Sequence, residues 1–159
     1  MCGAGVKTKS WAIAFAAILC GCSSTAPSTE PSADARAAAL TRADWNRPTE
    51  VRIDLRDYGF APSQLRLKQG QAYRLTVFNS GGVAHYFNAP ELLRAIAARH
   101  VVVTDQVEIV APQFSSFEVA RRGGSFALEF VPLVNGTYRA YCHLAGDEHK
   151  DVQGHVIVE

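Results

Sequence analysis

From Val51 onward, apolar side chains return at every second position in short runs, and a turn signal cuts each run. Val51, Ile53 and Leu55 alternate with Arg52, Asp54 and Arg56, and Leu65 and Leu67 alternate with Arg66 and Lys68. The pattern continues at Tyr73-Leu75-Val77, Val107-Ile109, Phe117-Val119, Phe126-Leu128-Phe130, Tyr138-Ala140-Cys142 and Val156-Val158. Gly70, Gly81-Gly82, Gly123-Gly124 and Asn135-Gly136 punctuate it. Period-two alternation puts one face of each segment in a core and the other in water, so the segments are half-buried strands. Seven or eight strands in about 110 residues exclude a helical bundle or an α/β fold and predict an all-β, antiparallel Greek-key β-sandwich. One short helix is expected to interrupt it: Pro90 and Glu91 suit a first turn, Leu92, Leu93, Ile96 and Ala97 an apolar stripe, and Arg99 and His100 a last turn.

The N-terminus follows other rules. Lys7 and Lys9 precede an apolar run from Trp11 to Leu19 that is too short to span a bilayer comfortably, which is the pattern of an export signal. The run ends in Leu19-Cys20-Gly21-Cys22, which resembles the box of bacterial lipoproteins that is cleaved ahead of a cysteine, leaving that cysteine as the acylated first residue. By the same resemblance, Ser23 after the cysteine favours the outer over the inner membrane, on the periplasmic face. The expected organisation is a signal over residues 1–21, a flexible tether over 22–49, rich in Ser, Thr, Pro and Ala, and one domain over 50–159. A short helix over Ala38 to Trp45 is compatible with the tether's last part and is not counted on. Trp11 and Trp45, the two tryptophans, fall outside the expected domain.

Composition narrows the function. With 16 Lys+Arg against 15 Asp+Glu, no bulk charge recruits nucleic acid. Of the four cysteines, Cys2 and Cys20 leave with the signal and Cys22 carries lipid, so Cys142 is the one thiol left and the domain holds no disulfide.

The surroundings of Cys142 give that thiol a use. The segment Cys142-His143-Leu144-Ala145-Gly146-Asp147-Glu148-His149 carries a soft sulfur, two imidazoles and two carboxylates, and His85 follows a strand in Asn79-Ser80-Gly81-Gly82-Val83-Ala84-His85. A sandwich brings such loops together at one end, and thiolate plus imidazole suits copper, zinc or iron. Strand alternation sends Cys142 to the side of Tyr138 and turns His143 the other way. His149 is the better third donor, because Gly146 lets the loop adjust. Asp147 or Glu148 is then placed to add a carboxylate oxygen. His100 reads as a helix-end residue and His155 as a surface residue of the last strand.

These motifs resemble the small blue-copper proteins, the cupredoxins, from about Glu50 to Glu159. The stretch His85-Tyr86-Phe87-Asn88-Ala89-Pro90-Glu91-Leu92 is similar to a His-Asn-Phe-x-x-Pro-Glu-Phe segment of one subgroup. Gly136-Thr137-Tyr138 with Cys142 matches its Gly-Thr-Tyr-x-x-x-Cys strand, and Gly154-His155-Val156 its Gly-x-hydrophobic ending. The resemblance implies one copper ion held by His85 and Cys142. It also implies a departure, because the places of the second histidine and axial methionine hold Asp147 and Val152 and the asparagine after the first histidine is Tyr86. Met1 is the sole methionine, so the processed chain has no thioether ligand. The expected ligand set is therefore His85, Cys142, His149 and Asp147, with His143 and Glu148 as alternatives, in a harder site resembling the family's red-copper variants.

Three functions fit: a one-electron carrier meeting a redox partner protein through Tyr141 and His143, a copper carrier or buffer in the periplasm, and a metal-free interaction module. No acid, base or nucleophile cluster accompanies Cys142, and His-x-His pairs of the multicopper-oxidase kind are missing, so a non-enzyme is expected, monomeric and held to the membrane through Cys22. Cys22→Ala should release the protein from membranes or block its processing; a variant still membrane-bound and normally cleaved contradicts the anchor.

Overall fold

The chain is described by a computed structural model over residues 30–103, 107–109, 115–142 and 152–159. Cys22, His143, Asp147, Glu148 and His149 lie outside these residues. The elements in order are α1 (Ala33–Arg42), β1 (Thr49–Arg56), β2 (Gly59–Ala61), β3 (Gln64–Leu67), β4 (Tyr73–Asn79), β5 (His85–Asn88), α2 (Pro90–Arg94), β6 (Ile96–Val103), β7 (Val107–Ile109), β8 (Ser116–Val119), β9 (Ser125–Pro132), β10 (Gly136–Tyr141) and β11 (Gln153–Val158).

The strands form two sheets, β2-β1-β4-β9-β6-β7 and β3-β11-β10-β5-β8. All expected alternating runs are strands, and the β-sandwich is the observed architecture. Pairing is mostly antiparallel, but β1 runs parallel to β4 and β3 parallel to β11. The inward faces meet in one core containing Leu55, Leu75, Val77, Leu128 and Phe130 from the first sheet and Leu67, Phe87, Ala140 and Val156 from the second. Burying these side chains is the main stabilising term, about 1.5–3 kcal/mol for each large aliphatic or aromatic group. Toward one end, Phe60, Phe87, Phe126 and Phe117 form a chain of ring contacts at centroid separations of 6.2, 5.9 and 4.3 Å.

The inserted helix is shorter than expected. α2 ends at Arg94, and Ala95 closes it with its N–H shared between the carbonyls of Glu91 and Leu92. Leu92 and Leu93 are buried as anticipated, but Ile96 and Ala97 belong to β6, which pairs with β9 from Ile96↔Pro132 to Val103↔Phe126. The β-branched run Val101-Val102-Val103 favours the pleated form, and a short apolar run supports either period. His100 is accordingly a strand residue, next to a bulge between Ala98 and His100, and not a helix end.

The expected tether also contains structure. Ser32 accepts a hydrogen bond from Ala35 N–H and caps α1, with Asp34 in its first turn and Arg42 in its last, both favourable to the helix dipole. Ala39 packs with Ala97 of β6 and Val131 of β9, joined by Leu40, Ala43, Trp45 and Leu133. Arg36 donates to the carbonyls of Ile96 and Arg94, and Trp45 Nε1 donates to Leu40 O at 2.9 Å. Alanine has the highest helix propensity, so an Ala-rich stretch that resembles a linker by composition becomes a helix once a face of the sheet covers it.

Beside α1, on the outer face of the first sheet, Glu129 is 2% exposed. Arg74 Nε donates to its Oε1 at 2.9 Å, Arg99 Nη1 to its Oε2 at 2.8 Å, and His100 Nε2 lies 3.3 Å from Oε2. Arg99 also lies over the Trp45 ring, 4.9 Å from its centroid. Burial pushes the Glu129 carboxyl up, but Arg74, His100 and Arg99 together outweigh it and hold the group below its ordinary value. A depressed folded-state pKa contributes stability that is complete above the ordinary carboxylate range and is lost as pH falls through the lowered value. Glu129→Gln should therefore cost about 1–3 kcal/mol near neutral pH and much less below the carboxylate range. Urea midpoints of both proteins across pH check this; an equal gap at all pH values contradicts it.

Candidate metal centre

β5 is four residues long, and its burial alternates, with His85 and Phe87 inward and Tyr86 outward. Phe87 anchors the inner face of β5 in the aromatic chain, so period two carries His85 into the interior two residues earlier, at 0% exposure. The sequence placed His85 in a loop after a strand; it stands on a strand of its own, paired with β8 from His85↔Val119 to Asn88↔Ser116. β10 supplies the other donor. Ala140 and Cys142 face inward, at 1% and 5% exposure, as the alternation predicts.

These two strands meet at Asn88↔Tyr141, where Asn88 Nδ2 donates to Tyr141 O at 3.1 Å. Beyond that pair, Tyr86 N–H donates to Cys142 Sγ at 3.3 Å, and His85 Nδ1 lies 3.7 Å from the same sulfur. The backbone of Tyr86 thus links the two donor strands, although its side chain is not the expected asparagine. That side chain points out and donates from its hydroxyl to Glu118 Oε2 at 2.9 Å, and Glu118 holds the phenol above its ordinary pKa.

The loop leading into His85 is built on Asn79, which is fully buried. Its Nδ2 donates to Val83 O at 2.8 Å and Val119 O at 3.0 Å, and its Oδ1 accepts from Gly81 N–H at 2.8 Å. Its backbone N–H donates to Gly124 O, and Gly123 N–H to its carbonyl. One side chain therefore replaces missing backbone pairing at the end of β4, as a buried polar group must. Gly123, at φ 105°, follows Arg122, at φ 56°, in the turn that delivers those bonds.

On the far side of the ring, His85 Nε2 lies 3.1 Å from Asp57 Oδ1. Asp57 sits between β1 and β2 and also accepts from Gly82 N–H. The hydrogen bond with His85 lowers its carboxyl pKa, with burial opposing and the Gly82 bond adding to the effect. Nothing in the sequence marks Asp57: it belongs to no motif and precedes His85 by 28 positions.

The paired donors can be tested against a metal. Bonds of about 2.0 Å to nitrogen and 2.3 Å to sulfur, at an angle of about 110–120°, separate the two atoms by about 3.5–3.7 Å. The Nδ1 to Sγ distance of 3.7 Å fits two donors of one ion. Among the described residues, no group of three or more His, Cys, Asp or Glu gathers around a point. The expected further donors, His149 and Asp147, and the alternatives His143 and Glu148, lie outside those residues. His100 is beside Glu129, and His155 is exposed on β11, so neither joins His85.

No family model matches the chain, and neither does any curated protein. Solved structures do. A copper-containing nitrite reductase from Thermus scotoductus SA-01 superposes with a TM-score of 0.52 at 14% identity, over 71% of this chain and 31% of that one. A multicopper oxidase gives 0.51 at 12% identity, over 70% of this chain and 44% of that one. The chain has a cupredoxin-like fold. A purple cupredoxin from Nitrosopumilus maritimus is also similar, with a TM-score of 0.42 and 20% identity over 69% of this chain and 99% of that one. The chain spans less than half of the two enzymes, and identities this low speak for the cupredoxin-like fold alone.

Proposed function

We propose that this cupredoxin-like protein binds one copper ion through His85 and Cys142 and passes single electrons, without catalytic turnover. The observation that carries the reading is the buried Nδ1 to Sγ pair at 3.7 Å, framed by the two sheets at one end of the sandwich. That solved proteins sharing the fold are named for copper supports the choice of metal. His149 and Asp147 are proposed to complete the ligand set, with His143 and Glu148 as alternatives. We also propose a lipid anchor at Cys22 holding the domain at the periplasmic face of the outer membrane, as a monomer that meets a redox partner protein and no nucleic acid.

Bound copper would supply the one-electron couple, and the protein's part is to keep the donors still. His85 is held by a sheet pairing on β8, by the Asn79-built loop and by the packing of Phe87. Tyr86 N–H, donated to Sγ, withdraws charge from the sulfur, a recognised way of tuning a copper–thiolate site. A rigid frame keeps geometry nearly constant between oxidation states, which makes electron exchange fast. The lack of any methionine after Met1 favours, as a second reading, a harder site that exchanges copper and serves as a carrier or buffer.

Incubating the protein with cupric ion should produce an intense visible thiolate band. Cys142→Ser should abolish that band, because serine is not deprotonated at neutral pH, and His85→Ala should weaken binding at least tenfold. His149→Ala should weaken it more than His143→Ala. If the unaltered protein takes up no copper, or if Cys142→Ser keeps spectrum and affinity, the metal reading fails and a metal-free interaction module replaces it.

A further inference from the structure

We propose that Asp57 is a positioning residue for His85: its carboxylate fixes the ring as the Nε2–H tautomer and thereby aims the Nδ1 lone pair at Cys142 Sγ. A carboxylate accepts hydrogen bonds and does not donate them, so a 3.1 Å contact to Oδ1 requires the proton to be on Nε2. A neutral imidazole carries one N–H, which leaves Nδ1 as the atom with the free electron pair. That is the nitrogen facing the sulfur.

The carboxylate is itself held from two sides. β1 ends at Arg56 and β2 starts at Gly59, with Arg56↔Gly59 as their last pair, so Asp57 is one of two residues in a tight turn. Gly82 N–H donates to Oδ1 at 2.9 Å and to Oδ2 at 3.2 Å, fixing the plane of the group. Ser80, in the same loop, donates its N–H to Leu55 O at 3.0 Å and its hydroxyl to the same oxygen at 3.1 Å. The turn and the loop before His85 are thus stitched together at two points. Gly81 leaves room for the stitch, since a Cβ there would stand 2.7 Å from His85 Nε2 and collide with Asp57 Oδ1. Metal-bound histidines commonly donate their second N–H to a carboxylate, which fixes the tautomer and raises the donor strength of the other nitrogen.

The tautomer part stands without copper; the affinity part rests on the copper reading above. In metal-free protein at neutral pH, long-range proton–nitrogen NMR spectra should show His85 protonated at Nε2 alone. Asp57→Ala should give mixed tautomers and, in titrations with cupric ion, an affinity about 10–100-fold lower. Asp57→Asn keeps the shape of the turn but replaces the acceptor-only carboxylate with an amide that can accept or donate, and should give the same two changes; it decides the matter if Asp57→Ala does not fold. An Asp57→Ala protein that folds normally, keeps the pure Nε2–H signature and binds copper within twofold of the unaltered chain overturns the proposal. If the unaltered chain binds no copper, the metal reading fails, while the tautomer comparison still decides the role of Asp57.

Discussion

A fully buried imidazole must find a partner for each ring nitrogen, and the end of this sandwich is arranged around that requirement at His85. Nε2 is met by a turn residue from the first sheet, Asp57, and Nδ1 faces Cys142, where β10 of the second sheet ends. The ring therefore bridges the two sheets. The surrounding hydrogen bonds follow from keeping it there: Tyr86 N–H to the sulfur, Asn88 to Tyr141, and the three side-chain bonds of Asn79 that shape the approaching loop. Few of these bonds belong to regular strand ladders. They supply at the sandwich's end the satisfaction that ladders supply in its middle.

The rest of the molecule works as a frame for that end. The apolar inner faces and the row of phenylalanines bring Phe87, and with it His85, to a fixed depth. The opposite side of the first sheet is covered by α1 and Trp45, and a buried carboxylate, Glu129, ties β4, β6 and β9 together through Arg74, Arg99 and His100. Charge on this face secures the sheet, while the apolar side is left to the core.

Much of this was legible in the sequence, for physical reasons that differ by element. β1 and β4 show clean alternation because one face of each lies against the core, and that pattern survives in a single chain; β9 alternates in its first half only, because its second half is covered on both faces. β6 did not, since Ile96 and Ala97 are both buried, which blurs period two into an apolar run that also suits a helix. α1 was read as tether because alanine and serine signal flexibility by composition, whereas Ser32 as cap and Asp34 behind it carried the helix signal. At the centre, His85 and Cys142 were recognisable as donor types with meaningful neighbours. Asp57 was not, because its importance arises from the turn and the sheet pairing that bring it to His85. The Tyr86 contact was likewise invisible, being made by backbone that every residue has.

X-ray absorption at the copper edge of the reconstituted protein measures the donor set directly. With His85 and Cys142 as two donors of one ion, it should show a single sulfur neighbour at about 2.3 Å together with nitrogen neighbours at about 2.0 Å. The sulfur should vanish in Cys142→Ser. A first shell of nitrogen and oxygen alone in the unaltered protein would contradict the account, because copper would then lie away from the buried His85 and Cys142 pair.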